Sequence, residues 1–90
     1  MLIEKLTSLS PEEVVGRAKV FFTERTPHYG AHVEDEGPGF VALRGQGGEE
    51  IALAAFAADS GTRVRGSSPL YSQAIGRFLT TLPEAEEDNG

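Results

Sequence analysis

Hydrophobic and polar positions along this chain change their period several times, and the changes mark out the elements. From Val14 to Phe22 the apolar residues Val14, Val15, Ala18, Phe21 and Phe22 recur at i, i+1, i+4, i+7 and i+8, one face of an α-helix. Gly16, Arg17, Lys19, Thr23 and Glu24 take the other face. The helix opens at Ser10-Pro11-Glu12-Glu13, with serine at the N-cap, proline at the first helical position and glutamate at the third, the signature of a capping box. Leu9 and Val14 flank that cap as a hydrophobic staple. Pro27 biases Thr26 away from helical geometry, so the helix is expected to end near Arg25.

Beyond Gly30 the period drops to two. Strands are expected over 31–36, 40–44, 50–58 and 62–66, separated by turns at Gly37-Pro38-Gly39, Gly45 to Gly48 and Asp59-Ser60-Gly61. A second serine-proline pair, Ser68-Pro69, opens a second helix with the stripe Leu70, Tyr71, Ala74, Ile75, Phe78, Leu79 and Leu82, which Pro83 ends. Residues 1–9 place Leu2, Ile3, Leu6 and Leu9 at helix-like spacing, as a first turn or an ordered lead-in. Residues 84–90 read as an acidic, disordered tail. The expectation is one α+β domain over 1–83, a two-layer sandwich in helix-ββββ-helix order. In it a four-stranded antiparallel meander carries both helices on one face. This order resembles helix-grip and half-TATA-binding-protein-like arrangements, in architecture alone. No residue motif matches either, so no function is carried across.

Alternation divides the strand residues between two faces. Ala31, Val33, Val41, Leu43, Ile51, Leu53, Ala55 and Val64 share the face expected under the helices. His32, Glu34, Phe40, Ala42, Arg44, Ala52, Ala54, Phe56, Arg63 and Arg65 share the other. Its centre is apolar and its edge strands are charged, whereas a face meant only for water is more polar in the middle. A bulge in the strand over 50–58 is an alternative that turns Phe56 inward. Without it, the alanines and phenylalanines are either simply tolerated on a solvent-facing surface or form a contact surface for another copy or a ligand. The contact surface is the expectation, with Phe40, Ala42, Arg44, Ala54, Phe56, Arg63 and Arg65 as its residues.

Composition narrows the function classes. Ninety residues suit a single small domain, for which self-association is a common source of added burial. There is no cysteine, so neither a disulfide framework nor a thiolate metal site is available, which fits a reducing cytoplasm. Fourteen acidic against eight basic side chains give a net charge of −6, which repels nucleic-acid backbones and anionic membrane surfaces. No apolar run is long enough to span a bilayer, and Glu4 and Lys5 interrupt any signal-like start.

Candidate chemistry is sparse. His28, His32, Glu34 and Glu36 share even numbering, so one extended strand would aim them together, and imidazole and carboxylate are zinc ligands. His32 with Glu34 or Asp35 is also an acid–base pair. The commoner reading of the same residues is a solvated edge strand whose charges deter pairing. Gly45-Gln46-Gly47-Gly48 joins two strands and lacks the lysine and helix of a phosphate loop. Arg44, Arg63 and Arg65 can hold an anion or pair across strands. The expectation is a cytoplasmic, non-catalytic interaction module without cofactor, acting as a homodimer or a subunit of a larger assembly. The alternative is a small metal-binding or acid–base domain built on His28, His32 and Glu34.

Overall fold

The computed structural model describes residues 2–25, 31–45, 47–69 and 72–85. In chain order the elements are strand β1 (Leu2–Thr7), helix α1 (Pro11–Val20) with a π-helical turn (Phe21–Arg25), β2 (His32–Gly37), β3 (Phe40–Arg44), β4 (Glu50–Ala58), β5 (Gly61–Ser67) and helix α2 (Ser72–Thr80). The strands form one antiparallel sheet in the order β1-β5-β4-β3-β2. The expected meander is therefore present as β2 to β5, but the sheet has five strands, not four. The addition is β1, which pairs with β5 from Leu2↔Ser67 to Thr7↔Thr62.

Polar residues on the wrong side of an apparent pattern explain the missed strand. Register places Ile3, Lys5 and Thr7 on the same face as Gly66, Val64 and Thr62, since directly opposed residues share a face. Two of these three are polar, and each finds a partner at the end of α2. Lys5 Nζ donates to the carbonyl of Leu79 (2.9 Å), which also accepts the Leu82 amide, and to that of Leu82 (2.8 Å), just past the helix end. The Thr7 hydroxyl donates to the Pro83 carbonyl at 2.5 Å. Inward-facing lysine and threonine thus bind α2 to β1, and the apolar spacing of Leu2, Ile3, Leu6 and Leu9 carries no helix.

The start of α1 follows local sequence. The Glu13 amide donates to the Ser10 hydroxyl (3.2 Å), and the Ser10 amide donates to the Glu13 carboxylate (3.1 Å). The bond from the Ser10 amide, followed by the Ser10 hydroxyl beside the carboxylate, holds Glu13 below the ordinary carboxylate range. Near its end α1 widens into the π-helical turn, which turns Phe21 and Phe22 toward α2. The Phe21, Phe22 and Phe78 rings pack pairwise with centroids 5.0–5.7 Å apart, in tilted or edge-on contacts. His28 and the expected helix break at Thr26-Pro27 lie outside the described residues, as do Leu70 and Tyr71.

The core fills the space between the helices and one sheet face. Val41, Leu43, Ile51, Leu53, Ala55 and Val64 are buried there beneath Val14, Val15, Ala18 and Phe22 on one side and Ala74, Ile75, Phe78 and Leu79 on the other. Ala31 is buried in the same cluster, and Val33 packs against it half-buried. Each large side chain fully buried contributes roughly 1.5–3 kcal/mol relative to exposure. Gly66 lets α2 approach: a Cβ there would sit 2.6 Å from Ile75 Cγ2 and 3.2 Å from Leu53 Cδ2. Gly48 closes the β3–β4 turn at φ 89°, a left-handed conformation that favours glycine. Beyond α2, the Pro83 carbonyl accepts from the Ser8 amide just past β1, the Ala85 amide donates to Leu6 of β1, and Glu84 bridges Thr7. Residues 86–90 of the expected tail lie outside the described residues.

Candidate functional site

The face of the sheet opposite the helices is built from crosswise rows that the strand register fixes. Glu4, Arg65, Ala54 and Phe40 form one row across β1, β5, β4 and β3. Ser67, Ala52, Ala42 and Asp35 form the next, from β5 to β2. Arg63 lies beside Phe56 at one end of the strands, and Glu50, Arg44 and His32 line the other end. Phe40 and Phe56 are 40% and 41% exposed, while the alanines between them are half-buried only by the neighbouring strands. The alternation in β4 is unbroken through Phe56, so the bulge considered there is absent and the ring points away from the core. Ala42, Ala52 and Ala54 floor a shallow depression of about 280 Å³, walled by Phe40 on one side and by Arg65 and Ser67 on the other.

Charged groups border this apolar centre in pairs. On the β2 flank Arg44 grips Glu34 with two parallel bonds, Nε to Oε2 at 2.7 Å and the second guanidinium nitrogen to Oε1 at 2.9 Å. A third donor of Arg44 reaches the Gly48 carbonyl at 2.6 Å. This bidentate bond holds the Glu34 carboxyl below its ordinary range and raises Arg44 in return. On the β1 flank Arg65 Nε donates to Glu4 Oε2, and Arg63 lies 4.0 Å from Oε1 of the same carboxylate. The Arg65 guanidinium also lies 5.2 Å from the centre of the Phe56 ring, within cation–π range.

A bulge in β2 rearranges the histidine and carboxylate group. Pairing runs from Val33↔Leu43 to Asp35↔Ala42, leaving Glu34 as the extra residue. From there on the even and odd positions trade faces. Glu36 now opposes Val41 and turns to the helix side, where Lys19 of α1 binds it at 2.7 Å. The even-numbered alignment of His32, Glu34 and Glu36 is therefore broken. His32 is exposed, Glu34 is held by Arg44, and His28 lies outside the described residues. Among the described residues, no three His, Cys, Asp or Glu side chains come together as a metal-binding group.

Glu4, the partner of both β5 arginines, lies on β1, which no period-two pattern marks as a strand. Asp35 was set apart from this face by strict alternation, which the bulge defeats. A separate groove of about 510 Å³ lies on the outer side of the helix layer, between Arg17, Val20 and Phe21 of the first helical segment and Phe78 and Thr81. No helix among the described residues is long and apolar enough to cross a membrane. Comparison with protein-family models, curated proteins and solved structures yields no match to this chain.

Proposed function

We propose that this chain is a small non-catalytic binding module that self-associates through the open face of its sheet. The observation that carries the reading is the pair Phe40 and Phe56, each about two-fifths exposed on one sheet face, with an alanine-floored depression beside Phe40 in the middle of that face. Apolar centre and charged border is the layout of a protein contact, where the core of the patch loses water and the rim keeps it. The ion pairs support the same reading. Arg44, Arg63 and Arg65 lie against Glu34 and Glu4, so the border is largely charge-compensated before any partner arrives. An anion-binding role draws less support from arginines already engaged in this way.

Size sets the expected affinity. Five strands about 4.8 Å apart, each contributing five or six residues at about 3.3 Å, make a face about 20 Å square. Two such faces bury on the order of 1,000 Å² together, the lower end for a specific interface. An interface of this size belongs with the weaker, transient associations, so the dimer is sought at micromolar and higher concentration.

Sedimentation velocity over a concentration series tests the reading. The wild-type chain of 9.6 kDa is expected to move from monomer to dimer across the micromolar range. Phe40→Asp and Phe56→Asp should each hold it monomeric, while circular dichroism stays that of the folded chain. A wild type that remains monomeric to millimolar concentration would contradict the proposal. So would dimerisation that both aspartate variants leave intact.

A further inference from the structure

We infer that two copies meet face to face about a two-fold axis running parallel to the strands, so that β5 of each copy lies over the β2 flank of the other. The inference rests on the self-association proposed above and specifies its geometry. In the aligned class of sheet packing the strands of the two sheets lie within about 30° of each other, and there the axis runs either along the strands or across them. Charge and shape both choose the first.

The two flanks of the open face differ in sign. On the β1–β5 side, Arg63 and Arg65 against Glu4 leave one positive charge. On the other side, Glu34 and Asp35 of β2 against Arg44 leave one negative charge, and exposed Glu50 beside Arg44 adds a second. An axis along the strands exchanges left for right and lays the basic flank of each copy on the acidic flank of the other. An axis across the strands lays β5 on β5 and β2 on β2, stacking arginine on arginine and carboxylate on carboxylate. Opposed like charges disfavour that arrangement, and complementary ones favour the first.

Shape agrees. Phe40 projects from β3, and the depression opens beside it over β4, toward Arg65 and Ser67 of β5. A two-fold axis between β3 and β4 carries the Phe40 ring of one copy sideways into the depression of the other, with little shift along the strands. Both copies do this at once, as an isologous interface requires. In the same arrangement Ser67, which shares a row with Asp35 of its own copy, comes to face Asp35 of the other.

Charge exchange between β5 and β2 tests the axis. In this arrangement Arg65 lies one row along the strands from Asp35 of the other copy, a diagonal that an arginine side chain spans. Arg65→Glu and Asp35→Arg should therefore each weaken self-association about tenfold in sedimentation equilibrium, by placing like charges at two symmetry-related diagonals. An equimolar mixture of the two variants should return to within about threefold of wild type. In the mixed dimer both contacts again join opposite charges. Ser67→Lys leaves the Glu4 pairs untouched and reads the axis by sign: it tightens the dimer severalfold if Ser67 faces Asp35, and weakens it if Ser67 lies over Arg63. No rescue in the mixture, or weakening by Ser67→Lys, overturns the axis while leaving self-association standing. A wild type that never dimerises removes both.

Discussion

Both faces of this sheet are apolar at their centre, along β3 and β4, yet the two have opposite fates. On one face Leu43, Ile51 and Val64 are wholly buried beneath two helices. On the other Phe40 and Phe56 keep about two-fifths of their surface in contact with solvent. Alternation groups residues by face; it says nothing of what covers that face. Cover comes from elements elsewhere in the chain, here α1 and α2. Both are committed to the same side by the Phe21-Phe22-Phe78 cluster and by the bonds from Lys5 to the end of α2. The second face is left with a composition suited to contact and, among the described residues, no helix above it.

The contrast is broken most severely by truncating one aromatic ring from each face. Phe78→Ala, which empties a fully buried site, should cost about 3–5 kcal/mol in urea unfolding. Phe56→Ala, measured at a protein concentration where the chain is monomeric, should cost about 1 kcal/mol or less. Equal costs would mean the open face is as much a part of the fold as the core. The next effect in size is at Gly66, where the added methyl of Gly66→Ala meets Ile75 and Leu53 and should destabilise by about 1–3 kcal/mol. A neutral result would show that α2 is free to shift away from β5.

Two smaller effects sharpen the account of how α1 is set on the buried side. Ser10→Ala removes the cap that accepts the Glu13 amide and should lower stability by about 1 kcal/mol, read from the thermal midpoint. The smallest concerns pH. Glu13 has a folded pKa below its unfolded one, so its contribution is present above the ordinary glutamate range and fades as pH falls through the lower folded value. Wild type should therefore exceed Glu13→Gln in melting temperature at neutral pH, and the gap should close in acid. A gap that persists or widens in acid would show that the carboxylate is not the source.

Much of the buried layer was legible in the sequence because its signals are local or periodic. The capping box needs only four consecutive residues, and the inward set from Val41 to Val64 keeps a strict period of two. β1 was illegible because its inward positions hold Lys5 and Thr7, whose polar atoms are satisfied by carbonyls more than seventy residues away. No local pattern announces a partner so distant. The bulge at Glu34 was hidden for a different reason. Four polar or acidic side chains lie among His32 to Glu36, so a one-residue slip there changes no hydrophobic pattern. The open face was legible as a set of shared positions, but its borders were not. Their charge pairing depends on Glu4 from the missed strand and on a register that the bulge resets.

The most direct measurement is an isotope-filtered nuclear Overhauser experiment on a millimolar mixture of labelled and unlabelled chains. Cross-peaks between the Phe40 ring of one copy and the methyl groups of Ala52 and Ala54 of another are the predicted result. An absence of intermolecular cross-peaks, or their confinement to the helix side of the molecule, would contradict the claim that the open sheet face is where this protein binds.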